Sequence, residues 1–283
     1  MLASLLAAAA AAQPVPFAEH QQVCAGKQGW SDPAPPIRIF ANVYDVGTCG
    51  VAVLLIAGPE GHILIDAATA EAAPGIARNI ERLGLRLTDV KLMLASHEHL
   101  DHVGGTAELQ RLTGARLMVM PEARYALETG LLAHDDPQFG LYPPFPAARV
   151  DGLLRDGQKV SLGPLRLTAH STFGHVRGST SWTWRSCEGR TCRAIAYSDS
   201  VTAAAAPGYR FSDNPRHVRR FRASLRKIGR LRCDILITPH PAASNLYARL
   251  AGEAPLVNPQ ACSDYAGAAE IKLNERLAGE NGG

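Results

Sequence analysis

The stretch Val90-Lys91-Leu92-Met93-Leu94-Ala95-Ser96-His97-Glu98-His99-Leu100-Asp101-His102-Val103-Gly104-Gly105 decides how the chain is read. Val90 to Ala95 is a short apolar run of β-strand character. Directly after it, His97, His99, Asp101 and His102 bring three imidazoles and a carboxylate into six positions. Imidazole nitrogen and carboxylate oxygen are the usual donors to zinc, and a turn at a strand end can fan them toward one point. A helical His-Glu-x-x-His site is excluded, because the residue four past His97 is Asp101. The cluster is therefore expected on a loop at a strand end, not on one helix turn. Glu98 is expected to point away, solvated or behind the ligands.

One loop cannot comfortably supply every ligand of a tetrahedral ion, so further donors should come from elsewhere. His175, in Thr172-Phe173-Gly174-His175, and His240, in Thr238-Pro239-His240-Pro241, both follow apolar strands and break into Gly/Pro turns, as the cluster does. His20, His134 and His217 lack that setting and are expected to be solvated. His62 and His170 lie within strand-like runs and read as hydrogen-bonded structural residues.

Outward from this point, Ile37–Val46, Val51–Ala57 and His62–Asp66 read as strands, the last two joined through Gly58-Pro59-Glu60-Gly61 as a hairpin. Helical spacing appears over Ala73–Leu83, Thr106–Thr113, Pro121–Leu132, Asn214–Ile228 and Ser263–Leu277. Strands are expected at Arg116–Met120, Lys159–Leu162, Leu165–Ala169, Ser179–Arg185, Arg193–Tyr197 and Ile235–Thr238. The proline-rich segment Asp135–Pro146 is too long for a simple connection, and such loops usually carry function. Two sheets packed face to face with helices outside account for this order of elements.

Composition narrows the class. The 283 residues are 46% hydrophobic and 19% charged, which excludes a disordered or collagen-like chain. A net charge of +3 with no long basic block gives no sign of a nucleic-acid partner. No apolar stretch approaches the ~20 residues a bilayer requires. Residues 1–12 read as a cleaved signal peptide, from the apolar run Leu2 to Ala12 and its small residues at the end, which leaves one domain over 13–283. Six cysteines fit an oxidising compartment. They allow fifteen connectivities. Nearest-neighbour pairing, Cys24 with Cys49, Cys187 with Cys192 and Cys233 with Cys262, is favoured because Cys187 and Cys192 look like a hairpin staple.

The sequence resembles the metallo-β-lactamase superfamily, whose His-x-His-x-Asp-His signature is His97, His99, Asp101 and His102 here. Tyr197-Ser198-Asp199-Ser200-Val201-Thr202, Ala206-Pro207-Gly208-Tyr209-Arg210-Phe211 and Thr238 to Asn245 resemble subclass B3, and the likeness runs from about Trp30 to Ala278. It implies an α/β fold, a four-layer αββα sandwich, with two Zn2+ per chain in a cleft at one edge of the sheets. His97, His99 and His175 would hold the first ion, and Asp101, His102 and His240 the second. Asp101 would also orient the attacking hydroxide and so is the catalytic residue. Ser200 stands where other lactamases have a cysteine ligand, and with Thr202 it would bind the substrate carboxylate. Gln138 and Phe139 are candidate substrate contacts, and Trp30 could wall the cleft. In glyoxalase II and lactonases an aspartate near Asp199 bridges the metals; the surrounding lactamase pattern makes Asp199 non-ligating here.

The implied activity is zinc-dependent opening of the β-lactam ring of penicillins, cephalosporins and carbapenems, conferring antibiotic resistance. The implied setting is a periplasmic or secreted monomer that binds a small-molecule β-lactam, without nucleic acid or stable membrane association. Several exported B3 enzymes also carry three disulfides placed like the favoured pairs. The alternatives are a lactone or thioester hydrolase on the same scaffold and a non-catalytic exported zinc-binding protein.

Overall fold

Side-chain alternation along the apolar runs builds two sheets with two faces each. Ile63 and Ile65 enter one buried cluster while Leu64 between them enters another, and Leu54 and Leu55 divide in the same way. The computed structural model describes residues 16–282; the leader proposed at 1–12 lies outside the described residues.

The first sheet contains β1 (Ile37–Phe40), β2 (Val43–Asp45), β3 (Leu54–Ile56), β4 (His62–Ile65), β5 (Val90–Leu94), β6 (Arg116–Val119) and β7 (Gly152–Leu153), paired in that order. Strands β1 to β4 pair antiparallel, and β4 to β7 pair parallel. The second sheet contains β8 (Lys159–Leu162), β9 (Leu165–Ser171), β10 (Thr180–Glu188), β11 (Thr191–Tyr197) and β12 (Ile235–Ile237), in the order β12-β11-β10-β9-β8. Eight helices accompany them among the described residues: α1 (Phe17–Cys24), α2 (Ala73–Arg82), α3 (Leu100–Val103), α4 (Thr106–Thr113), α5 (Arg124–Thr129), α6 (Pro215–Ile228), α7 (Leu246–Leu250) and α8 (Ala261–Asn281).

Three apolar seams make this a four-layer αββα arrangement. Ile76 and Ile80 of α2, Leu109 of α4 and Leu127 of α5 pack on Leu55, Leu64 and Met93 of the first sheet. Between the sheets, Ile63, Ile65, Leu92 and Leu94 meet Leu167, Trp182, Ile195 and Ile237. On the outer face of the second sheet, Ala196 of β11 and Leu236 of β12 meet Cys262 of α8, and α8 packs on α6 through Phe221, Leu225, Ala266 and Leu273. Each fully buried aliphatic or aromatic side chain contributes roughly 1.5–3 kcal/mol of transfer free energy, so the layers hold by apolar burial.

Several expectations are corrected here. The helix expected over Pro121–Leu132 is a 3-10 turn, Pro121–Ala123, followed by α5, and it stops at Gly130 in the left-handed conformation (φ 73°). Helices α1 and α7 and the two-residue β7 carry too little periodicity to be read from sequence. His20 is buried rather than solvated: Nδ1 donates to the Pro35 carbonyl at 2.9 Å and the ring packs on Tyr247. His62, buried with Nδ1 accepting from the Gly58 N–H, and His170, bonded to Thr183, are structural as expected. All six cysteines pair as nearest neighbours, and the Cys187–Cys192 bridge closes the β10–β11 hairpin.

Candidate metal centre

The His97 loop is fixed from both sheets before any donor is placed. Strand β5 ends at Leu94, and Trp182 of β10 donates its indole N–H to Ala95 O at 3.0 Å. The Thr180 N–H reaches Ser96 O at 2.7 Å. Asp66, at the end of β4, takes the Ser96 N–H at 2.6 Å, the Ser96 hydroxyl at 2.7 Å and the Tyr197 hydroxyl at 2.6 Å. Its backbone has φ 69°, a conformation Asp tolerates better than most residues and one these three bonds hold in place. Gly104 and Gly105 close the loop: a Cβ on either would lie 2.4 Å from Leu100 O or 2.3 Å from Ala67 O. The cluster was expected wholly on a loop. Asp101 and His102 instead lie in the helical turn α3, with His97 and His99 in the loop before it.

His97, His99 and His175 form the first donor group, each offering a ring nitrogen within 4.8 Å of the others. Their ring centroids are 4.8 to 4.9 Å apart, with interplanar angles of 79° to 85°. Rings so nearly perpendicular point their edges at one place instead of stacking. Buried His97 Nε2 has no hydrogen-bond partner in the protein. A buried polar atom left unmatched costs stability unless something fills the role, and a cation bound by the three rings would do so.

Asp101, His102 and His240 form a second group beside it. Asp101 Oδ2 lies 3.1 Å from His102 Nε2 and 3.3 Å from His240 Nε2, and the two nitrogens are 3.3 Å apart. Tetrahedral coordination with bonds of ~2.0–2.1 Å puts ligand atoms about 3.3 Å apart, so the spacing fits zinc. His175 and His240, more than 70 residues from the loop, thus join it in space.

The far nitrogen of each imidazole faces an oxygen that orients it. His97 Nδ1 meets Asp199 Oδ1 at 2.8 Å, His99 Nε2 meets Asp136 Oδ1 at 3.3 Å, and His175 Nδ1 meets Thr202 O at 2.9 Å. His240 Nδ1 meets Gly50 O at 3.1 Å, and His102 Nδ1 lies 3.5 Å from Asp66 Oδ2. For His97, His99, His175 and His240 such partners fix the tautomer and leave an unprotonated nitrogen facing the metal position. Burial, with the neighbouring imidazoles, holds His97 well below the usual histidine range and lowers His175 to about 3, so both are ready donors. His102 goes the other way. Burial opposes its charge, but Asp101 and Asp66 outweigh burial and raise it to about 10. Burial likewise works against the Asp101 charge, and His102 and His240 hold its carboxyl low all the same.

Other residues singled out in the sequence fall into place around this centre. Asp199 lies behind His97, on the ring nitrogen remote from the donors, and burial pushes its carboxyl well up. Glu98 is buried, not solvated: it turns onto the His175 loop and accepts the Gly178 N–H at 2.9 Å. Burial and the nearby Asp136 raise its carboxyl to about 7. Gln138 is buried, with Nε2 3.4 Å from His175 Nε2 and 3.5 Å from His99 Nδ1. Ser200 is buried after β11, and the Thr202 hydroxyl lies 3.0 Å from His175 Nδ1. Trp30 packs edge-on against Tyr142, Phe139 is 42% exposed, and exposed His134 packs at a tilt against Phe139. Asp66 and Asp136 carry no signal in the sequence, since a single Asp beside a strand or in a loop gives no local sign of a partner 30 or more residues away.

Replacing Asp199 by Asn keeps the volume and removes the carboxyl group behind His97. Zinc affinity, measured against a competing chelator, is expected to fall by about 10-fold or more, as is usual when a ligand histidine loses its carboxylate. Unchanged affinity would show that the carboxylate does not tune His97.

An αββα sandwich carrying two clustered donor groups at the carboxyl ends of its strands defines a metal-dependent, zinc-type enzyme scaffold. The profile described as Metallo-beta-lactamase superfamily matches residues 46–187. The metallo-β-lactamase MIM-1 from Novosphingobium pentaromativorans superposes with a TM-score of 0.91 at 50% identity, covering 93% of this chain and 98% of that one. BJP-1, a subclass B3 metallo-β-lactamase of Bradyrhizobium japonicum, gives 0.80 at 32% identity, with 91% and 98% covered. A hydroxyacylglutathione hydrolase of Methylobacterium nodulans is 31% identical over 103 residues, 36% of this chain, and the match spans only 31% of that protein's length. The chain belongs to the metallo-β-lactamase superfamily, and its solved relatives include subclass B3 enzymes.

Proposed function

We propose that this protein is a two-zinc hydrolase that opens the β-lactam ring of penicillins, cephalosporins and carbapenems and so confers antibiotic resistance. The observation that carries the reading is the pair of adjacent donor groups, His97/His99/His175 and Asp101/His102/His240, with tetrahedral spacing in the second. Zinc held there supplies Lewis-acid polarisation of a carbonyl and brings the pKa of water from 15.7 to about 7.

The remaining work falls to side chains. Asp101, a member of the second group and adjacent to His102, orients the attacking water. The oxygens behind His97, His99, His175 and His240 orient each ring, with its other nitrogen turned to the centre. Gln138, whose amide reaches both His99 and His175, contacts substrate at the mouth of the first group. Ser200 and Thr202 receive the substrate carboxylate at the end of β11. Asp199 is engaged behind His97 rather than among the donors, which favours the lactam reading over the bridging-aspartate pattern of thioester and lactone hydrolases.

Three disulfides with no free cysteine among the described residues support a periplasmic or secreted location for a mature domain beginning after residue 12. We read it as a monomer without nucleic-acid partners. Among the described residues no helix is long and apolar enough to cross a membrane.

Turnover of a penicillin, a cephalosporin and a carbapenem beside a lactone and a glutathione thioester tests the assignment. Values of kcat/KM for at least one β-lactam are expected to exceed those of the other substrates by about 100-fold or more. Preference for the thioester would move the protein to the other hydrolase class.

A further inference from the structure

Helix α6 reaches the metal centre from behind through His217, which sequence alone assigns to solvent and the structure half-buries. His217 Nε2 lies 2.7 Å from the carbonyl oxygen of Gly174, the residue before His175. A carbonyl only accepts, so Nε2 carries the hydrogen and Nδ1 must accept; the Tyr209 hydroxyl stands 3.3 Å from Nδ1 to donate. Burial lowers the His217 pKa, which keeps this neutral form. The ring sits among Phe173, Phe211 and Phe221, with centroids at 4.6, 5.3 and 6.5 Å.

Gly174 has no room to move toward the helix. A Cβ on it would lie 2.1 Å from the Phe221 ring, so the backbone before His175 is pressed on α6 while His217 holds its carbonyl. Beyond it, His175 Nδ1 is held by Thr202 O. The second donor group has its own supports, Gly50 O for His240 and Asp66 for His102, and neither comes from α6.

We propose that His217 is a positioning residue for the metal centre: its hydrogen bond to Gly174, backed by Tyr209, sets the His175 ring for the His97/His99/His175 group alone. This rests on the two-zinc reading above. A residue present only to fill space among four aromatic neighbours would need no donor aimed at that carbonyl.

Zinc titration of the full chain against a chromophoric chelator, with melting of the metal-free protein alongside, tests the proposal. His217→Phe keeps the ring and removes the donor, and it should weaken one of the two zinc ions about 10-fold while leaving the other within about twofold. His217→Gln, which restores an N–H at similar reach, should recover most of that loss. Cobalt-substituted protein should show altered d–d absorption in the Phe variant and near-normal absorption in the Gln variant. Should the Phe variant not fold, Tyr209→Phe serves in its place, with a smaller loss on the same ion. Equal affinities in the Phe variant and wild type overturn the proposal, as does equal weakening of both ions with a falling melting temperature. Failure of wild-type protein to bind zinc overturns the metal reading and this inference together.

Discussion

Stripping the protein with a chelator should abolish β-lactam turnover, to below about a thousandth of the starting rate, and zinc should restore it. Water at pH 7 lies some eight pKa units from useful ionisation without a cation, and that gap sets the scale of the loss. The fold should persist, because three apolar seams and three disulfides are independent of the metal. Its melting temperature should nevertheless fall, since a ligand at 1,000 times its Kd adds about 4 kcal/mol to stability.

Recovery should also depend on pH in a stated direction. His102, raised to about 10 in the metal-free protein, holds a proton at neutral pH that zinc must displace, while His97 and His175 hold none. Metal uptake therefore releases a proton, and zinc affinity rises with pH. Restoration measured at pH 6 should require more zinc than at pH 8. Full turnover in protein shown to be metal-free would end the zinc mechanism.

Asp101→Asn should lower kcat/KM by about 1,000-fold, the upper end of the span for losing one charged or polar group aimed at the reacting atoms. That corresponds to roughly 4 kcal/mol of transition-state stabilisation. The substitution preserves size and leaves His97, His99 and His175 untouched, so one zinc equivalent should remain per chain and circular dichroism should not change. The second equivalent should weaken, because the neutral amide replaces the charge shared with His102 and His240. Activity near wild type with a full zinc complement would remove Asp101 from the catalytic role. These two measurements separate a hydrolase from a zinc-binding protein: in the latter, metal loss and the Asp101 change alter binding and leave no turnover to lose.

The same centre shows how far residue order can be read. Short apolar runs marked β5, β9 and β12, and His97, His175 and His240 stand just after them, so the six donors were legible as candidates. Glu98 and Asp199 were harder. Each is a carboxylate beside a histidine or serine, and only packing tells whether it faces solvent, metal or the back of a ring. Glu98 turned to Gly178, 80 residues on, and Asp199 to His97, 102 residues back.

By itself the sequence determined which atoms could bind metal and which segments would be strands, because donor chemistry and side-chain alternation are properties of neighbouring residues. The division of the donors into two groups came with the family resemblance; tertiary structure alone decided which nitrogen of each ring faces inward, and that His20 and His217 are held rather than solvated. Those outcomes depend on burial and on hydrogen bonds between distant segments, for which local pattern carries no signal until the layers pack.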